Sequence, residues 1–517
     1  MTSASLPQMI MFYGLSLLMA VVLGFVLATP AEFLTFLVVA AVLMVLFTPV
    51  LLRWHHALLI FSIKATVMIY FLPGQPYLWM LMAILSFGFA VLRRALEKDS
   101  SFVHVPSVAY ALIALTIVVL VTAKLTGGIG FRVLGSGVYG GKRYYTVFAA
   151  VAVYFALVSQ RIPIEKAGLF VSLFFLSELT ALFSNIAYVL GPKFWYLYAI
   201  FPPDLAIHQA ISEYVLTEAT FTRITGLSWA GHAVFCYMLC RYGARGVFGH
   251  HWRLLFVLVV MGLTLLGGFR TYVILFALVL MIQFKLERLY RSKIFLIFLS
   301  ISLLTAAVVL PNVQRLPLAV QRSLSIIPGL KVAPAAAFNA QASSEWRLSM
   351  WKLLLAELPD HLLLGKGYAV DPTEMYLMQE SVLRGLAPTY EYALVAGDYH
   401  NGPLSVIVPF GIWGAITFLW FCLAGLWVLY KNWKNGPSQL KLINTFFLAY
   451  FAARFVFFMV FFGALNGDLV IFTALLGLNI SLNGGVCREP VQQLAPVENT
   501  ATTSGNAPDA LPAPANV

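Results

Sequence analysis

Apolar runs of about twenty residues recur along most of this chain, and that is the length an α-helix needs to cross the hydrocarbon of a bilayer. They can be marked at 8–28, 31–52, 57–73, 76–92, 103–123, 143–160, 166–190, 226–242, 253–268, 271–286, 293–310, 402–430, 440–462 and 465–486. Several are short, so the expected number of spans is about 12–14. Hydrophobic residues make up 61% of the chain and charged residues only 10%, against roughly 25% charged in a soluble domain. That balance excludes a water-soluble globular enzyme and a disordered chain alike. The expected fold is all-α, a polytopic integral membrane helical bundle.

The net charge of +12 does not call for nucleic acid, because cytoplasmic loops of membrane proteins hold excess Lys and Arg. With the N-terminus inside, the inner connections run Arg53–His56, Arg93–Lys98, Arg161–Lys166, Arg241–Arg253, Lys285–Lys293 and Lys431–Lys441, and every one is basic. The N-terminal stretch lacks the Lys or Arg that opens a signal peptide, and Met9–Ala28 reads as the first span. One outer loop breaks the pattern. Residues 124–143 carry Lys124, Arg132, Lys142 and Arg143 without an acid, on a glycine-rich backbone. Such a loop suits an anionic partner outside, either lipid headgroups or a pyrophosphate.

The remaining organisation follows from the gaps. Residues 1–190 are N-terminal spans, and 191–310 are further spans that include an outer loop at 191–225 holding Asp204, His208, Glu213 and Arg223. Residues 311–401 form the longest stretch without a span, near neutral with seven Lys or Arg and eight Asp or Glu. A loop of that length is expected to carry structure of its own. Residues 402–486 are the C-terminal spans. From 487 a tail rich in Pro, Ala and Thr reads as disordered and cytoplasmic. The four cysteines, Cys236, Cys240, Cys422 and Cys487, contain no C-x-x-C pair. They read as small core residues, and no metal site or cofactor is expected.

Within 311–401 a helix is expected from Ser343, as cap, to Leu358, ended by Pro359, with Trp346, Met350, Leu353 and Leu354 on one stripe. Leu364-Gly-Lys-Gly367 follows as a tight turn. Asp371-Pro-Thr-Glu374 then reads as a capped start for a helix that stops at Gly385. His400 and Asn401 stand immediately before the next span. Lys64, Glu178, Arg454 and Asp468 fall in or near spans, where ionisable groups either pair with one another or serve function.

Arg347 and Trp351, the turn Leu364–Gly367, and His400-Asn401 with Gly411 ten residues on resemble the signature of the O-antigen ligase and polymerase superfamily. Arg223-Ile-Thr-Gly226, opening a span, is similar to that family too. Gly267-Gly-Phe-Arg270 lies where the family usually has Ser-Arg-Gly, and here the Ser and the following Gly are absent. The resemblance covers about residues 210–480. It implies a glycosyltransferase of GT-C type in the bacterial inner membrane, with its active site and large loop on the periplasmic side. The implied donor is a glycan on undecaprenyl pyrophosphate. The acceptor is another glycan or the lipid A core, in O-antigen or exopolysaccharide synthesis. Membrane lipids and other polysaccharide-assembly proteins are the remaining partners implied, with no metal and no nucleic acid.

On that reading Arg223, Arg270 and Arg347 hold the pyrophosphate, since guanidinium binds it bidentately. His400 serves as the base or orienting group for the acceptor hydroxyl. Asn401, Lys142, Arg143 and Asp468 are candidate substrate contacts. The competing readings are a transporter or flippase of a lipid-linked glycan or other anion, and a non-catalytic membrane subunit. A transporter should show repeat symmetry and broken helices at mid-membrane.

Overall fold

A backbone in hydrocarbon must pair its own N–H and C=O groups, and the apolar runs of this chain do so as helices. The structure, a computed structural model, describes residues 33–72, 74–96, 102–130, 136–203 and 223–488, with a few positions before residue 33. Most of the expected first span at 8–28, with Arg132, Asp204, His208, Glu213 and the tail from Glu489, lies outside the described residues.

Among the described residues the chain is all-α, with no strand beyond the isolated bridges Met68–Tyr77 and Tyr139–Val370. The helices are α1 (Phe33–Lys64), α2 (Leu78–Leu96), α3 (Pro106–Thr126), α4 (Gly141–Val158), α5 (Ala167–Leu176), α6 (Leu182–Leu190), α7 (Thr225–Phe248), α8 (His251–Leu265), α9 (Arg270–Leu286) and α10 (Lys293–Val309). Then come the short α11 (Leu318–Leu324), α12 (Pro334–His361), α13 (Pro372–Leu383) and α14 (Thr389–Val395) of the large loop. The series closes with α15 (Gly402–Asn435), α16 (Lys441–Val460) and α17 (Leu465–Asn483). Among the described residues six segments are long and apolar enough to cross a membrane by length and composition alone: Leu78–Leu96, Pro106–Thr126, Ile164–Leu190, Gly402–Asn435, Ser438–Val460 and Leu465–Asn483. α8 and α10 are shorter apolar helices.

Two expectations need correction. The run 31–52 and the first half of 57–73 form the single helix α1 of 32 residues, which ends at Lys64, about 48 Å at 1.5 Å per residue. Arg53–His56 holds neither Gly nor Pro, so nothing there turns the chain. His55 and His56 are instead buried, and the His56 Nε2 lies 3.2 Å from the Leu157 carbonyl oxygen of α4. The helix expected from Ser343 begins nine residues earlier, with Pro334 in its first turn. The alanine-rich run before Ser343 continues the helix, and Pro359 is taken up in its last turn. Met350 and Leu354 are buried as the stripe requires, but Leu353 is exposed. The Asp371 start is as expected, its carboxylate accepting from the Thr373 N–H at 2.8 Å.

α17 runs through the middle of the bundle against α4, and nearly all of its residues are buried. Polar side chains bind the helices where apolar packing against lipid gives no preference. At the end away from His400, Asn432, Asn444, Asn479 and Asn483 bond to one another across α15, α16 and α17 at 2.8–2.9 Å. Nearer His400 runs a buried ionic chain. Lys64 donates to Glu178, whose carboxylate also holds His232 Nδ1 at 3.0 Å. His232 Nε2 meets the Tyr450 hydroxyl at 3.0 Å, Arg454 donates to that hydroxyl, and Arg454 Nη2 reaches Asp468 at 2.8 Å. The ionisable residues found near spans are therefore paired within the bundle.

Breaking a buried pair leaves an uncompensated charge, whereas replacing both partners with apolar groups is often neutral. Glu178→Ala should therefore cost about 3–5 kcal/mol of stability, and Lys64→Met with Glu178→Leu much less. Thermal unfolding of the two variants in lipid checks the difference.

Candidate active site

His400 owes its place to a broken helix. Asn401 caps α15 by accepting the Leu404 N–H at 3.0 Å, which fixes the residue before it at the helix mouth. His400 itself has φ of 49°, a left-handed backbone that a non-glycine residue holds only where its surroundings impose it. Eight residues into α15, Pro409 and Gly411 interrupt the helical ladder, with Gly411 at φ of 63°. The turn Leu362–Gly367 fills the gap. Lys366 N–H donates to the Val408 carbonyl at 2.7 Å and Gly367 N–H to that of Pro409 at 2.9 Å, while Ile412 N–H donates to Leu362 at 2.7 Å. A Cβ on Gly411 would stand 2.6 Å from the Leu363 carbonyl oxygen. Gly365 and Gly411 thus have one physical cause, the close approach of a turn to a helix break, while a Cβ on Gly367 would strike Thr126 of α3 and Tyr144 of α4.

Around His400 the groups are aromatic and charged. Its ring stacks on Phe462 at 5.5 Å between centroids and lies 5.4 Å from Trp346. Nε2 is 3.7 Å from an Asp398 oxygen. The Arg347 guanidinium sits over the same Phe462 ring at 5.5 Å. Trp351, one turn on from Arg347, donates its indole N–H to the Tyr399 carbonyl at 2.8 Å and so ties α12 to the His400 segment. Burial lowers the His400 pKa from its ordinary value, Arg347 lowers it further, and Asp398 opposes both.

Next to this lies a cluster of arginines. Arg270, at the start of α9, donates to the Ala340 carbonyl at 3.1 Å and the Ser344 hydroxyl at 3.2 Å, both on α12. Arg223 lies over Phe269 at 5.9 Å. The fourth member, Arg322 on α11, is absent from the sequence motifs. It is buried, its Nη1 donates to the Gly268 carbonyl, and its Nε has no partner among the described residues. Burial and the charges of Arg223, Arg270 and Arg347 push its pKa down to about 9. Arg347 is lowered by burial and by Arg270. Positive groups that depress one another in a shielded place favour an anion among them. Arg322 gives no signal in the sequence because it stands in a helix of seven residues, too short for periodicity to be read.

Lys142 and Arg143 open α4 and belong to a different group. Arg143 lies over Tyr368 at 5.6 Å, and Lys142 Nζ reaches the Gln75 carbonyl at 3.4 Å. Both line a cavity of about 580 Å³ that includes Phe462 at its His400 side and Lys64, Glu178, Arg454 and Asp468 deeper in. Asp468 is engaged by Arg454 and by the Ala464 N–H at 2.9 Å. Asn401 is likewise engaged as a cap. Among the described residues, no three His, Cys, Asp or Glu side chains gather as a metal site would.

Residues 251–419 match the family model described as O-antigen ligase. This stretch runs from α8 into α15 and holds Arg270, Arg322, Arg347, His400, Asn401 and Gly411; Arg223, Lys142, Arg143 and Asp468 lie outside it. The resemblance to the O-antigen ligase and polymerase superfamily stands on this segment, and with it a ligase- or polymerase-type role in polysaccharide synthesis. No curated protein matches the chain.

A lowered His400 pKa keeps the ring neutral, and so able to accept a proton, down to a pH below its ordinary 6.5. The acid limb of a kcat/KM profile is expected below that pH. Asp398→Asn removes the group that raises the pKa and should move the limb lower; Arg347→Gln should move it higher. The pH–rate profiles of the two variants check the opposite signs.

Proposed function

We propose that this protein is an inverting, metal-independent membrane glycosyltransferase that takes a glycan from undecaprenyl pyrophosphate at the periplasmic face of a bacterial inner membrane. It passes that glycan to another lipid-linked glycan or to the lipid A core. The observation that carries the reading is His400 set beside a cluster of four guanidinium groups at one end of a membrane bundle.

The chemistry follows from the charges. The acceptor hydroxyl oxygen attacks the anomeric carbon as the bond from that carbon to the phosphate oxygen breaks. The bonding pair leaves with the pyrophosphate, whose charge rises by one. Arg270, Arg322, Arg347 and Arg223 hold that charge where it develops, each as a donor already in place before the reaction. The hydroxyl proton passes to the imidazole of His400, and Asp398 at 3.7 Å steadies the imidazolium. One displacement with one base inverts the anomeric centre. Asn401 positions His400 through its cap, and Asp468 shapes the adjoining cavity through Arg454.

The test uses a strain lacking this gene, complemented with wild type, His400→Ala, Arg347→Ala or Arg322→Ala. The histidine variant should lower transfer by about a hundred- to ten-thousand-fold, the usual contribution of a positioned base. Lipid-linked glycans extracted from that strain separate the two acceptors: long chains accumulate if the enzyme is a ligase, single repeat units if it is a polymerase. Wild-type surface glycans from His400→Ala and Arg347→Ala would overturn the reading and bring transport forward.

A further inference from the structure

Beside the His400 segment, a second cleft of about 480 Å³ opens between the start of α4 and the helices α13 and α14. Tyr139, Tyr368, Tyr376 and Tyr392 line it together with Arg143 and Gln379. Among the described residues no carboxylate lines it, and Lys142 adds a second cation at its edge. Its volume falls within the range of small-ligand sites. Two walls are tied together by the backbone bridge between Tyr139 and Val370, with N···O distances of 2.9 and 3.1 Å. Tyr368 forms the floor. It is buried, its N–H donates to the Tyr144 hydroxyl at 2.8 Å, and its own hydroxyl donates to Asn466 at 3.2 Å.

The chemistry of this lining suits a saccharide. Tyrosine rings present flat apolar faces to the C–H face of a pyranose and hydroxyls to its polar rim. Gln379 adds a side-chain amide, able to donate and accept. Arg143 and Lys142 make the cleft cationic, which favours a sugar bearing a carboxylate or phosphate. Its position matters equally. Ala396 lines it, and the Arg143 guanidinium lies against Gly397, so it reaches within a few residues of His400. The arginine cluster stands on other elements, the segment before α7, the start of α9, α11 and α12.

We infer that this cleft binds the acceptor glycan, an anionic saccharide stacked on Tyr376 and Tyr392 with its charge on Arg143, and delivers its hydroxyl to His400. The inference rests on the transferase reading above and adds the acceptor side to it. It also gives a role to the end of the basic, glycine-rich loop at 124–143, because Tyr139, Gly140, Lys142 and Arg143 build one wall of the cleft.

The test uses the full chain in lipid nanodiscs. The probe is the oligosaccharide pool released from the host envelope by mild acid and separated by ion exchange into neutral and anionic fractions. Saturation-transfer NMR should show binding of the anionic fraction. Tyr376→Ala and Arg143→Gln should each weaken it by about tenfold, the loss typical of a well-placed contact residue. Tyr376→Phe keeps the ring and should retain most of the binding. Tyr376 is 62% exposed, so its removal does not threaten the fold. In transfer assays the same variants should raise the KM for acceptor and leave that for the lipid-linked donor. Binding unchanged by either substitution, preference for the neutral fraction, or a rise in donor KM alone would overturn the inference. If His400→Ala is inactive while the cleft variants bind as wild type, only the cleft assignment fails. If the cleft variants lose binding while His400→Ala transfers normally, the catalytic reading fails and the cleft stands.

Discussion

The site depends on a helix that does not continue. At Pro409 and Gly411 the ladder of α15 opens, and the freed carbonyls of Val408 and Pro409 take the N–H groups of Lys366 and Gly367. In hydrocarbon or beside it, an unpaired backbone group costs several kcal/mol, so the turn and the break hold each other in place. The same turn is fastened to α3, where the Thr122 hydroxyl donates to the Leu364 carbonyl at 3.2 Å. It leads directly into Tyr368, which sits on Tyr144 of α4. One seam therefore locates the outer part of α15, with His400 at its mouth, against the helices that carry Arg143 and the tyrosine cleft.

Charge is arranged in two different ways at this end of the bundle. Along Lys64, Glu178, His232, Tyr450, Arg454 and Asp468, opposite signs and hydrogen bonds alternate in one series from Lys64 to Asp468. In the cluster of Arg223, Arg270, Arg322 and Arg347, burial lowers Arg322 and Arg347 and the neighbouring guanidinium groups lower them further; among the described residues no acid takes part in either shift. The first arrangement stabilises helices in an apolar medium. The second holds like charges close together in a shielded place, where an anionic ligand would offset the repulsion. The contrast separates structural charges from the candidate ligand-binding ones more sharply than burial does, since both sets are shielded from water.

Much of this is legible in the residues. Apolar run length indicates the all-α membrane class, and Asp371-Pro-Thr-Glu374 marks a helix start correct to the residue because its capping chemistry is local. Arg347, His400 and Gly411 stand out because they lie in spaced motifs. What cannot be read from the residues has physical causes. Ser343 resembles a cap, but whether a serine caps depends on what precedes it, and the alanines before it favour continuing the helix. Arg53–His56 resembles an inner loop, yet polar residues without a turn former stay helical when a neighbour accepts them, as α4 accepts His56. Arg322 joins the arginine cluster only through the tertiary approach of α11 to the Gly267–Arg270 turn, which no local pattern encodes.

The most direct measurement is a cryo-EM structure of the chain in nanodiscs saturated with undecaprenyl pyrophosphate. The two phosphates are expected among Arg270, Arg322 and Arg347, beside His400 and within hydrogen-bond reach of the Arg322 Nε, which has no partner among the described residues. Phosphate density instead on Lys142 and Arg143, or beside the Lys64–Glu178 chain, with the four arginines bare, would contradict it.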